Sequence, residues 1–233
     1  MGWTNIFYVF ASVLFILGFK QLSHPKTARN GNLIASVGML IAIVTTLVAY
    51  GELDLRLIAV GMIIGAIIGS AVAIRVKMTQ MPQMVAIFNG FGGGASALVA
   101  AAEFTKSGEI TSFTLSTIAL SVFVGTLTFT GSFIAFGKLQ GFVSGKPVVF
   151  PGQQILNTVL ALCLAFSSIY LVMNPDQINF FYALIALSAV LGITLTIPIG
   201  GADMPVVIAF LNSLSGIAAM SAGFIVNSII LIV

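Results

Sequence analysis

Eight runs of about 20 apolar residues, parted by short breaks, fix what this chain can fold into. They cover residues 3–19, 31–50, 55–75, 82–102, 112–137, 152–173, 178–198 and 205–233. A hydrocarbon core about 30 Å thick is crossed by roughly 20 helical residues. The breaks carry turn chemistry: Ser23-His24-Pro25, Gly51, Met81-Pro82, Ser107-Gly108, Ser144-Gly145-Lys146-Pro147, Asn174-Pro175 and Gly200-Gly201. The runs are apolar on every side rather than alternating over ten-residue segments, which argues against a β-barrel. Only 6% of the 233 residues are charged, against roughly 25% in a soluble domain, so a water-facing surface cannot be built. Soluble, disordered and disulfide-scaffold classes are excluded, the last because Cys163 is alone. No Lys or Arg precedes the first run and no A-x-A site follows it, so it is not a cleaved signal peptide. The expected fold is all-α: one polytopic transmembrane helix bundle over residues 1–233, with about eight spans.

Charge placement orients the spans. The odd-numbered loops hold Lys20, Lys26, Arg29, Arg75, Lys77, Lys138 and Lys146, while the even-numbered loops hold only Arg56 and Lys106. Five of the six acids (Glu52, Asp54, Glu103, Glu109 and Asp176) fall on the base-poor side. The positive-inside rule then puts the odd loops in the cytoplasm and the N-terminus outside. A last span that runs to Val233 without a polar tail suggests a fragment or split gene product.

The few polar residues inside the spans are the candidates for function. Gly61, Gly65 and Gly69 repeat at four-residue spacing, the mark of close helix packing. In the fourth span, Asn89, Gly93 and Ser96 fall at i, i+4 and i+7 on one helical face. Four of the five residues from Gly90 to Gly94 are glycine, each costing helix propensity of roughly 1 kcal/mol against Ala. That cost is understandable if another helix, or water, must approach the backbone at Gly92 and Gly93. Asn212, with Ser213, Ser215 and Gly216 close by, is the second buried-amide candidate; Asn157 and Asn227 are weaker ones. Such amides act either as interhelical glue worth about 0.6 kcal/mol or as groups that order water in a polar crevice.

Enzymatic motifs are otherwise missing. Gly90-Phe91-Gly92-Gly93-Gly94-Ala95 has the form of a dinucleotide fingerprint, but that motif needs a preceding strand and a water-facing helix start. No P-loop, H-E-x-x-H, G-x-S-x-G or CxxC pattern occurs, no metal site is expected, and His24 lies in a loop. No acid, base or histidine lies deep in any span, although a conventional ion-coupled carrier usually has one. A proton path here would need water wires and neutral side chains, or a titratable group from a partner. Two other classes stay open: a channel or small-solute carrier with a glycine-rich pore-lining helix, and a structural membrane anchor.

The strings MPQMVAIFNGFGGGASALVA, TFTGSFIAFGKLQGFVSGKPVVFPGQ and GGADMPVVIAFLNSLSG, with HPKTARNGN in the first loop, resemble the proton-translocating NAD(P) transhydrogenase β subunit over the whole chain. The resemblance implies a membrane domain that couples hydride transfer between NAD(H) and NADP(H) to proton movement in a holoenzyme. It implies an α subunit that binds NAD(H), a soluble NADP(H)-binding domain and a homodimer of heteromers; the lone cysteine and the missing signal fit a multi-pass place in a bacterial plasma (inner) membrane, with an organelle inner membrane as the alternative. No nucleic acid is expected as a partner, and no nucleotide is expected to bind this chain. Relative to the family pattern the last helix and the NADP(H) domain are absent, so the chain alone is not expected to be catalytic.

By the same resemblance, Asn89 occupies a proton-pathway position that carries His or Asn in the family; where it is Asn, the titratable His is placed on an α-subunit helix. Asn212 matches a functional Asn, with Ser213, Ser215 and Ser96 as further pathway candidates. Asp203 matches an acidic residue at the cytoplasmic mouth below the NADP(H) domain. Read locally, Asp203-Met204-Pro205 is also an N-cap.

Overall fold

The computed structural model describes residues 2–49, 55–106 and 110–233. The turn residues Gly51 and Ser107-Gly108, and the acids Glu52, Asp54 and Glu109, lie outside the described residues. The described chain is built of helices: α1 (Gly2–Leu22), α2 (Ala28–Ala49), α3 (Leu55–Arg75), α4 (Met81–Phe104), α5 (Ser112–Gln140), α6 (Gln153–Met173), α7 (Ile178–Thr196), α8 (Met204–Ile225) and the short α9 (Ile229–Ile232). The first eight are long and apolar enough to cross a membrane.

Two compact units divide the chain at Arg75. In the first, α1 and α2 pack as an antiparallel pair. A Cβ on Gly31 would lie 2.7 Å from the Gly18 carbonyl oxygen, so two glycines let the backbones touch. The Tyr8 and Thr46 hydroxyls bond across the pair at 3.0 Å. No residue of α3 is buried, and a Cβ on Gly61, Gly65 or Gly69 would meet nothing within 4 Å.

The second unit is organised around α5, which packs against α4, α6, α7 and α8. Leu115, Ile118 and Val122 of α5 are almost wholly buried, with Leu164 and Leu171 of α6 and Leu184 and Leu191 of α7 completing the core. Proline in the first turn starts both α4 and α8, where its missing N–H costs nothing.

The eighth run is not one helix. α8 ends at Ile225, and Asn227 adopts φ 52°, a left-handed conformation that Asn tolerates well. The Ser228 N–H then closes on the Gly223 carbonyl at 2.9 Å, and α9 packs back on α8. Asn227 therefore ends a helix instead of lining a span.

Candidate functional site

Three helices, α4, α5 and α8, meet around the one predicted face of α4. Asn89 and Ser96 are each 7% exposed and Gly93 is buried with them. Glycine makes this possible: a Cβ on Gly93 would stand 2.8 Å from the Gly125 carbonyl oxygen and 3.0 Å from the Thr128 Cβ. Backbones this close leave room only for small side chains, and α5 supplies them at Ser121, Gly125, Thr128 and Ser132, at helical i, i+4, i+7, i+11 spacing.

Hydrogen bonds then fix the polar groups. Asn89 Nδ2 donates to Ser132 Oγ at 2.9 Å. The Ser215 hydroxyl of α8 donates to the Asn89 backbone carbonyl at 3.2 Å. About two turns further along α4, the Ser121 hydroxyl reaches two carbonyls, Ser96 at 3.2 Å and Ala218 at 3.1 Å, and so joins all three helices. Ser96 itself turns back to the Gly92 carbonyl at 3.1 Å. Asn89 Oδ1 is buried and has no hydrogen-bond partner. A carbonyl oxygen fixed in this way can accept from water or from a partner group, and no amide or hydroxyl in the cluster titrates near neutral pH.

The other candidates distribute around this centre. Asn212 and Ser213 lie on the exposed side of α8, Ser213 bonding the Phe210 carbonyl at 2.7 Å. Gly92 is exposed too, 3.9 Å in Cβ terms from Ser215 Oγ, and a Cβ on Gly216 would meet nothing within 4 Å. An open strip of small and amide side chains thus flanks the buried Asn89. Asn157 is on α6, away from the cluster, with its Oδ1 buried and unpartnered.

Asp203 ends a 3-10 turn (Gly201–Asp203) just before α8 and is exposed. It holds the N-cap position but makes no side-chain cap bond. Its backbone, at φ −90° and ψ −4°, is already helical, whereas a capping side chain needs the extended conformation to fold back.

Lys138 departs from its expected place as a loop charge. It lies in the last turn of α5, 4% exposed, with Nζ donating to the carbonyls of Lys146 at 3.0 Å, Ile197 at 2.6 Å and Ile199 at 2.9 Å. A cation suits the carbonyl-rich C-terminal ends of α5 and α7. Together with the Gly201 N–H to Gly145 carbonyl bond at 2.8 Å, it binds the 141–152 loop to the turn that carries Asp203. No sequence motif marks Ser132, Ser121, Thr128 or Lys138. The small-residue spacing of α5 was the available signal for the first three.

The model of the NAD(P) transhydrogenase beta subunit family matches residues 4–233. An NAD(P) transhydrogenase subunit beta of Rhodospirillum rubrum is 44% identical over 234 residues, covering 97% of this chain and 50% of its own length. The protein of the same description from Rhodospirillum rubrum strain ATCC 11170 matches equally, at 44%. The chain spans about half the length of the curated relatives it matches.

Proposed function

The chain belongs to the family of NAD(P) transhydrogenase beta subunits, and we propose that it supplies the membrane part through which a proton crosses while hydride passes between NAD(H) and NADP(H). NAD(H) sits on an α subunit and NADP(H) on a soluble domain; neither binds this chain, whose dinucleotide-like string lies in mid-α4 rather than at a water-facing helix start after a strand. The fixed amide of Asn89, its donor end on Ser132 and its acceptor end free, is the single observation that carries this reading.

Amides and hydroxyls orient water but cannot take up a charge. The titratable group therefore comes from a partner, a histidine on an α-subunit helix laid along the open strip of Gly92, Asn212, Ser213 and Gly216. Ser215 and Ser121 hold α4 in register beside it, Ser121 through the backbone carbonyl of Ser96. Asp203 stands at the cytoplasmic mouth, where a change in the NADP(H) domain is passed to the start of α8. The N-terminus lies outside, the odd loops face the cytoplasm of a bacterial cell, and the holoenzyme is a homodimer of heteromers. An applied 100 mV contributes about 2.3 kcal/mol per proton moved, a useful bias on exchange between two nicotinamides. The test is Asn89→Ala in the assembled complex: proton-coupled hydride transfer falls about tenfold while assembly stays normal, and an unchanged rate overturns the reading.

A further inference from the structure

Lys138 is the one charged side chain buried among the described residues, and it lies in the last turn of a membrane helix. Its ammonium has three N–H donors and no acceptor. The bonds it makes go to three carbonyls, those of Lys146, Ile197 and Ile199. No carboxylate among the described residues pairs with it. An ionisable group in a membrane segment is costly to hold without a counter-charge, and such groups mark functional positions.

What this ammonium joins would otherwise be loosely held. Every residue of the 141–152 loop is exposed except Val143. Two backbone bonds tie the loop to the 197–203 turn: Gly201 N–H to the Gly145 carbonyl at 2.8 Å, and Val148 N–H to the Ile197 carbonyl at 3.3 Å. Lys138 adds one carbonyl from the loop and two from the turn, and so fixes both segments at a single point on α5. Loop and turn form one platform, which ends at Asp203.

Beneath the platform the packing is small and stiff. Met204, next to Asp203, is fully buried in a cluster with Ala86 of α4, Ala135 of α5 and Ile208 of α8, and Ile199 packs on the same cluster. Ala86 lies three residues from Asn89, and Ala135 three from Ser132, so the cluster sits about one helical turn from their bond. Lys138 is three residues past Ala135 on the other side. Alanine has no rotamer with which to absorb a displacement, and close-packed interiors transmit strain.

We propose that Lys138 is a positioning residue that makes the 141–152 loop and the 197–203 turn move as one body. A shift that the NADP(H) domain imposes on either segment then reaches Met204 and, through Ala86 and Ala135, the Asn89–Ser132 bond. The proposal rests on the reading of Asn89 as part of the proton path. Without the ammonium, the loop and the turn yield separately, and the state of the nucleotide domain no longer sets the state of Asn89. The quantity that Lys138 controls is therefore the number of protons moved per hydride transferred.

The test uses the assembled α–β complex in sealed vesicles, with Lys138→Met measured beside Asn89→Ala. Protons moved per hydride transferred should fall at least threefold in Lys138→Met, counted per assembled complex. A second link between loop and turn should replace the lost one. A Cβ on Gly201 would stand 3.6 Å from the Gly145 Cα, which suits the roughly 4.4–6.8 Å that a disulfide allows between Cα atoms. In a Cys163→Ala background, Gly145→Cys with Gly201→Cys should close on oxidation and return at least half of the lost coupling to Lys138→Met, and reduction should abolish that gain. Should Lys138→Met assemble only with the disulfide closed, it is reduced in place, with the same expectation. Should it fail in both forms, Lys138→Gln takes its place.

A proton-to-hydride ratio unchanged in Lys138→Met, with Asn89→Ala still slow, reduces Lys138 to a packing role and leaves the Asn89 reading intact. A lower hydride rate at an unchanged ratio has the same meaning. A fall in the ratio that the closed disulfide does not reverse overturns the single-body account, as does failure of the cysteine pair to close when Lys138 is present. An unchanged Asn89→Ala removes the reading on which the proposal rests.

Discussion

A Cβ placed on Gly125 would stand 2.5 Å from the carbonyl oxygen of Gly93, so α4 and α5 meet backbone to backbone at the depth of the polar cluster. No lipid-facing apolar side chain could substitute for that contact, because the attraction between membrane helices comes from close packing rather than from escape from water.

Gly125→Ala is accordingly expected to push α5 off α4. Overpacking of this kind costs about 1–3 kcal/mol, read as a lower thermal midpoint of the purified protein, and it should loosen the Asn89–Ser132 bond one to two turns away. Gly216→Ala, where an added Cβ meets nothing within 4 Å of this chain, should leave the midpoint within about 0.5 kcal/mol. Equal losses in the two variants would show that the contact does not decide stability.

Lys138→Met removes the donor shared by the carbonyls of Lys146, Ile197 and Ile199. Leaving them unpaired in a buried site should cost about 3 kcal/mol and free the 141–152 loop for proteolysis. Lys138→Arg should not restore it, since a planar fork cannot converge on three carbonyls as a compact ammonium does. Limited digestion of the three proteins in parallel checks both statements, and wild-type resistance in Lys138→Met would contradict them.

For Asn89 the stability and activity effects should separate. Losing one interhelical bond in a membrane costs about 0.6 kcal/mol, whereas a tenfold slower coupled reaction corresponds to about 1.4 kcal/mol of barrier. Asn89→His adds a group that titrates near pH 6.5, so coupled activity should persist with a new inflection in that range. Identical pH profiles for the His variant and the parent protein would return Asn89 to a packing role.

Topology can be read by labelling single cysteines in a Cys163→Ala background. His24→Cys and Ser144→Cys should react only from the cytoplasmic face, and Asn174→Cys only from outside. With Lys138 set aside as a buried residue, six bases still lie on the odd loops against two on the even ones, so the orientation does not depend on it. Modification of all three from one face would sink the scheme.

The run lengths alone were enough to place all eight long helices, because backbone groups in a bilayer have to be satisfied within the segment. The i, i+4, i+7 spacing of Asn89, Gly93 and Ser96 likewise located the buried face of α4. What the sequence could not decide was which face of each other helix turns inward. A span that is apolar all round has no polar side to point at solvent, so hydropathy offers no preference among its faces. Packing made that choice: it paired Asn89 with Ser132, left Asn212 on the outer side of α8, and left Gly61, Gly65 and Gly69 without a neighbour among the described residues. It also drew Lys138 inward, since its three carbonyl acceptors come from segments up to 61 residues away and converge only once α5 and α7 are packed.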